Sequence, residues 1–361
     1  MCSLMLQIIE TRILSVISWY HLAFFSISMA MFGMTAGSLF VYFKDGWFTA
    51  ERLFENMVWI CGAFAIAAEV STLLLISTVL MNGGKPEFLM MVLFLFKLIV
   101  ILAAPYFFAG MAISLALTRS PWPVPLVYGV DLIGAATGCL VILVVLTLID
   151  AVSALLLVGG VGALAAISFS SARRAWGSPG KRLLFVAPLR ISAWPGILAT
   201  TLMLLALGNA AIQPYGLKLS IVKNQLESMV PGAHLTRVLE FVRWNSFSRV
   251  NVGPSAPGIP FMWGPSSETP PSVIEQRSMA IDGSAGTDMY RFDGDFGELE
   301  FLKYDITNLA YYIRHVGRAA GNRRGWGARY TLRASVRISG YNGHRAQPDL
   351  HRYAVAGVSA I

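Results

Sequence analysis

Charge is scarce in this chain. Asp, Glu, Lys and Arg together make up 13% of its 361 residues, where an ordinary soluble domain carries roughly 25%. Cysteine is scarcer still. Cys2, Cys61 and Cys139 are the only three. Two of them sit inside apolar runs, which excludes a disulfide-stapled secreted fold. An A-x-A-like cleavage site after a short apolar core is missing near the N-terminus, so a removed signal peptide is not expected. What is abundant is apolar surface: 55% of residues are hydrophobic and the mean hydropathy is +0.61. A disordered chain is excluded by these values, and a wholly soluble one is disfavoured.

The apolar residues lie in long runs before residue 213. A helix needs roughly 20 of them to cross the hydrocarbon layer. Six runs qualify as candidates: Ile13–Phe43, Trp59–Met81, Met90–Leu117, Pro125–Leu148, Val152–Ser168 and Ile197–Ile212. The first and third are long enough to need tilt or a bend, for which Pro105 offers a place; the fifth and sixth are short. The loop after the fifth run carries Arg173, Arg174, Lys181, Arg182 and Arg190 without an acid. Positive loops stay cytoplasmic, so with one further span the C-terminal part would lie outside. A cytosolic enzyme domain there would conflict with that rule, and the orientation stays open at this point.

Three ionisable residues fall inside the runs: Glu69, Lys97 and Asp131. A charge within a bilayer costs several kcal/mol, which makes each a functional candidate. They either form a proton or ion relay, as in a transporter, or pair with one another and with polar groups on neighbouring helices. Gly134 and Gly138 form a small-xxx-small pair suited to close helix approach. Gly159, Gly160 and Gly162 superficially resemble a phosphate loop, but no strand precedes them and no Lys follows, so they read as helix packing too. His21 has no partners at metal spacing and reads as a structural residue; no metal site is expected.

After residue 212 the pattern changes. Arg237–Trp244 alternates with period two and reads as a strand, as do Ser248–Val252 and Ser272–Ile281. Gly253–Ser272, rich in Pro and Gly, reads as loop. Asp282-Gly283 is a hairpin dipeptide. Glu298–Arg314 reads as an amphipathic helix.

Five motifs in order, PYFFAGMAISLALTR, VYGVDLIGAATGCLV, WNSFSRVNV, AIDGSAGT and FLKYDITNLAYYI, resemble membrane-anchored spermidine synthase-like (polyamine aminopropyltransferase-like) proteins, over about Tyr20 to Ala320. The resemblance implies a multi-pass α-helical membrane bundle over residues 1–212. The N-terminal part of a spermidine synthase-like domain would follow over 213–320, a small β-rich subdomain that leads into a Rossmann-like α/β sheet. It further implies aminopropyl transfer or related chemistry, decarboxylated S-adenosylmethionine or S-adenosylmethionine as cofactor, a polyamine as substrate, and a place in the plasma (inner) membrane with the lipid bilayer as partner. A Tyr-His pair that contacts the polyamine in the soluble enzymes reads Tyr304-Asp305 here, so Tyr304 alone carries over as a substrate-binding residue. Trp244, Ser248, Arg249 and Asp282 match the family pattern, and equally suit strand packing and turn geometry.

The family next requires a strand, a Gly-rich turn and a helix whose N–H groups hold the cofactor. Residues 321–361 contain none of these. They hold seven arginines, no lysine and Asp349 as their one acid. Moved by one nucleotide, the degenerate codons of Gly321–Tyr330 can read V-I-G-V-G-G-G/A-R-D-I. The residues through Ala354 can continue into a helix, a second strand and an acidic end, in the required order. This points to a frameshift near Ala320, with an irregular out-of-frame tail in which His344, His351 and the arginines form no metal or nucleic-acid site. The chain is then expected to hold no catalytic or cofactor-binding residues and to be inactive. The rival reading is a non-enzymatic membrane protein, a transporter or scaffold.

Overall fold

In a computed structural model the described residues are 1–17, 20–76, 88–176, 193–213, 215–217, 219, 240–283, 285–292, 296–309, 312 and 353–354. The chain divides into two compact units, residues 1–228 with 243–249, and residues 229–242 with 250–361.

The first unit is an all-helical bundle of α1 (Cys2–Ile17), α2 (Tyr20–Phe43), α3 (Leu53–Ile76), α4 (Phe88–Arg119), α5 (Val124–Leu148), α6 (Ala151–Trp176) and α7 (Ala193–Ala211). Six of these, α2 to α7, are long and apolar enough to cross a membrane. The expected run Ile13–Phe43 is not one span. Its first five residues belong to α1, and a separate helix begins at Tyr20. At about 1.5 Å per residue, the 16 residues of α1 reach only about 24 Å, short of the roughly 30 Å hydrocarbon layer. The helix is instead packed into the bundle, with Met5, Leu6, Ile9, Ile13, Leu14 and Val16 all within 1% exposure. The fifth and sixth expected spans lengthen to full helices, because their ends are polar enough to hide from a hydropathy count yet continue the helical backbone. α4 runs unbroken through Pro105.

Glycines set the helix spacings. A Cβ at Gly33 of α2 would lie 2.9 Å from Tyr106 Cβ, and one at Gly110 of α4 would lie 2.6 Å from Met34 Cα. Gly37 likewise faces Phe107 and Met111. These three glycines let α2 and α4 meet backbone to backbone, and Ser38 Oγ donates across the seam to the Gly110 carbonyl at 3.4 Å. Of the expected pair on α5, Gly138 is pressed against Met1 and Met5, whereas Gly134 only approaches Met1 Cβ at 3.9 Å. Gly159, Gly160 and Gly162 of α6 face Glu69, Met203 and Phe64.

Most of an antiparallel sheet lies in the second unit, in the order β1 (Phe241–Trp244), β2 (Arg249–Gly258), β3 (Ile274–Ile281), β4 (Ala285–Arg291), with the two-residue β5 (Tyr353–Ala354) on the edge of β4. β2 extends six residues into the expected loop. A bulge between Val252 and Ser255 accommodates Gly253-Pro254, since a bulge leaves unpaired the N–H that proline lacks. Asp282 (φ 51°) and Gly283 (φ 71°) turn β3 into β4, the two positive dihedrals that a primed turn requires. One face packs Val252, Met279 and Met289; the other packs Ile274 and Tyr290 beneath Leu299, Phe301 and Leu302.

The helix expected over Glu298–Arg314 differs in its N-terminal part; Leu309 and Tyr312 are α-helical, and residues 310, 311, 313 and 314 lie outside the described residues. The segment is 3-10 helix over Phe296–Tyr304 and again over Ile306–Asn308, interrupted at Asp305. Competing hydrogen bonds explain the break: the Asp305 carboxylate accepts from Thr307 N (2.9 Å) and Trp263 N (3.2 Å), while Ile306 N bonds Gly264 O (3.0 Å). Of the expected strand Arg237–Trp244, Glu240 is a bend before β1; residues 237–239, the continuation toward a Rossmann-like sheet, the tail apart from β5, the side chain of His21, and His344 and His351 lie outside the described residues.

Candidate functional site

The helical unit concentrates its polar groups in a few buried places. Glu10 of α1 is 2% exposed, and Tyr106 of α4, fully buried, donates its hydroxyl to Glu10 Oε2 at 2.8 Å. Ser71 Oγ of α3 donates to the Ile101 carbonyl of α4 at 2.6 Å. Asn209 of α7 donates to Ser153 Oγ at 2.8 Å, and Ser153 donates to Asp150 at 2.6 Å, which ties α7 to the start of α6. Glu10 escaped the sequence reading because it precedes the run that begins at Ile13. The available signal was its flanks: Leu6, Ile9, Ile13 and Leu14 share its helical face, so a carboxylate sits in the middle of an apolar stripe.

The three ionisable residues expected inside spans are not brought together. Glu69 of α3 lies against Gly159 of α6, where the absent side chain makes room for its carboxyl group. It is buried, and among the described residues neither oxygen has a hydrogen-bond partner. Lys97 is exposed on α4. It lies nine residues past the start of a helix that, at 32 residues, spans about 48 Å and so overhangs a roughly 30 Å layer at its ends. A lysine stem near such a boundary can carry its ammonium to water. Asp131 of α5 is half-buried. Among the described residues none of the three makes an ion pair.

Asp131 lines a cavity of the bundle of about 510 Å³. Three helical stripes wall it: Leu53, Met57 and Cys61 on α3, Ala112 and Ala116 on α4, Leu126, Val130 and Asp131 on α5, with Phe169 of α6 and Trp122 of the α4–α5 turn completing the lining. The three- and four-residue spacings put each set on one helix face. A smaller cavity of about 320 Å³ adjoins it, sharing Leu53, Phe54 and Ser120 and reaching Arg119, which is paired with Asp45.

In the β unit, Tyr304 is half-buried at the end of the first 3-10 segment, and its carbonyl accepts from Ser266 N at 2.9 Å. Asp305, where the family resemblance would want histidine, is 7% exposed and committed to the backbone bonds given above. Asn245 builds the turn before β2, accepting from Phe247 N (2.8 Å) and Ser248 N (2.7 Å). Arg249 is buried at the start of β2 and Trp244 is half-buried at the end of β1. Asp282 holds the hairpin turn. Asn245, Ser248 and Asp282 thus have structural work in turns. Among the described residues no cluster of three or more His, Cys, Asp or Glu is placed to hold a metal.

No protein-family model, curated protein or solved structure matches the chain.

Proposed function

We propose that this multi-pass membrane chain belongs to a spermidine synthase-like transferase lineage and is itself catalytically incomplete. The supporting observation is the succession in the second unit: a meander turned at Asp282-Gly283, then a covering segment at Phe296–Asn308 that carries Tyr304. In a complete member the amine of a polyamine would attack the aminopropyl carbon bonded to the sulfonium of decarboxylated S-adenosylmethionine; that C–S bond breaks with its electron pair going to sulfur, the neutral thioether methylthioadenosine leaves, and the new ammonium loses a proton. Tyr304 would help hold the polyamine. Such a transfer depends on holding the two reactants in line, and the nucleotide's cradle is the segment that the shifted frame of residues 321–354 would restore. Decarboxylated S-adenosylmethionine titrated calorimetrically into the purified chain should give no binding heat, whereas a frame-restored version should bind. Binding by the chain as it stands would overturn the incompleteness; failure of the restored version would overturn the lineage.

One observation favours a second reading, transport. The Glu69 carboxyl has no partner among the described residues, as a group that exchanges a proton or ion would not. In reconstituted vesicles, a coupled flux that disappears with Glu69→Gln or Asp131→Asn at unchanged thermal stability would establish it.

A further inference from the structure

The cavity at Asp131 combines two properties that seldom coincide. Its wall is almost wholly apolar, and its one carboxylate has no cationic partner among the described residues. No Lys, Arg or His is among its lining residues. An apolar wall alone would accept any lipid tail. An unpaired carboxylate in such a wall is costly and favours whatever brings a positive charge to it. At about 510 Å³ the space lies within the roughly 300–1,000 Å³ of small-molecule sites.

We propose that this cavity binds an amphiphilic amine, its ammonium on the Asp131 carboxylate and its hydrocarbon body between Met57, Ala116 and Val130. An ammonium offers three donors and no acceptor, which complements a carboxylate that has no other partner among the described residues. A free single-chain amine fits better than an amine-bearing phospholipid. Asp131 lies seven residues into α5, about 10 Å along the helix, below the depth at which a lipid headgroup rests. A phosphate drawn down with that headgroup would also sit beside the carboxylate and be repelled. The inference is independent of the transferase lineage.

The test uses the full chain in phosphatidylcholine nanodiscs and brominated dodecylammonium as a fluorescence quencher. The difference between wild type and Trp122→Phe isolates the signal of the tryptophan in the cavity wall. Quenching of Trp122 by the amine should saturate, at a concentration at least about ten-fold below that needed with brominated dodecanol, a preference worth about 1.4 kcal/mol. Asp131→Asn should remove that preference, and Ala116→Phe, which fills the cavity, should remove saturable quenching by both probes. Should the Asp131 variant not fold, thermal unfolding of the wild type decides the matter: the amine should raise its midpoint at about ten-fold lower concentration than the alcohol. Equal affinity for amine and alcohol, or a preference that survives Asp131→Asn, would overturn the proposal and leave a lipid-filled groove. Displacement of the amine by phosphatidylethanolamine in the nanodisc would overturn the single-chain assignment.

Discussion

Tyr106 and Glu10 form the one direct side-chain bond between α1 and α4 among the described residues. Polar contacts between membrane helices are typically worth about 1 kcal/mol, and leaving a buried partner unsatisfied costs about 1–3 kcal/mol. Tyr106→Phe should therefore destabilise the solubilised chain by about 1–2 kcal/mol, and a double-mutant cycle with Glu10→Gln should recover a coupling of about 1 kcal/mol. Unfolding in graded sodium dodecyl sulfate would measure both, and additive effects would show the bond to be energetically idle. Two carboxylates of the β unit respond to pH in opposite senses. Glu275 is held below the usual carboxylate range by the Ser255 hydroxyl and by Arg291, so the stability it contributes is present above its ordinary pKa and is lost as pH falls through the depressed value. Asp288 is pushed up by burial, so its contribution is complete in acid and is lost as pH rises through the raised value. Asp288→Asn should accordingly stabilise the unit near neutral pH, with the gain over wild type shrinking toward pH 4, whereas Glu275→Gln should flatten the loss in acid. Thermal melts across pH 3–8 separate the two.

Helix seams and turns are where single elements can be tested. Gly37→Leu should abolish assembly, because the new side chain would meet the α4 backbone at Phe107 and Met111. Gly129→Ala, on α5 with open space around it, should be neutral or stabilise by about 0.5–1 kcal/mol through helix propensity. In the β3–β4 hairpin, Gly283→Val forces a β-branched residue to positive φ and should cost about 1–2 kcal/mol. Folded yield and melting temperature report all three. The six apolar helices and the Asp282-Gly283 turn were legible in the sequence because composition and turn chemistry are local signals. The partners of the seams were not: Gly33 and Gly37 are an ordinary glycine pair until α4 is seen to lie on them. The 3-10 break at Asp305 was equally hidden, since apolar spacing cannot register a carboxylate bonded to Trp263 N, 42 residues away. Asp131 was legible as an ionisable residue in a span, but its cavity was not, because that space arises where α3 and α5 stand apart.

At the scale of the molecule, alternation of six spans puts the α2–α3, α4–α5 and α6–α7 connections on one side. Lys44, Arg52, Arg119, Lys181, Arg182 and Arg190 lie in or beside these connections, with Arg173 and Arg174 at the end of α6. The α3–α4 and α5–α6 connections on the other side contain Lys85 alone. Positive connections remain cytoplasmic, so residues beyond Ala211 should emerge on the opposite face. Single-cysteine reporters at Ser178 and Ser267, in a chain with Cys2, Cys61 and Cys139 replaced, should label with an impermeant maleimide from opposite sides of oriented vesicles. Labelling of both from the same side would remove one span from the count.

The bond from Tyr106 to Glu10 also has a consequence in time. Its partners are 96 residues apart, and a ribosome adding roughly 5–20 residues per second needs about 5–20 s to travel between them. For that interval α1 holds a carboxyl group whose phenol has not yet been made, in a helix too short to cross the bilayer by itself. α1 thus meets this partner only after α2 and α3 have been made. Until α4 arrives, the neighbour that can shelter α1 is α2, which packs along it in the finished bundle.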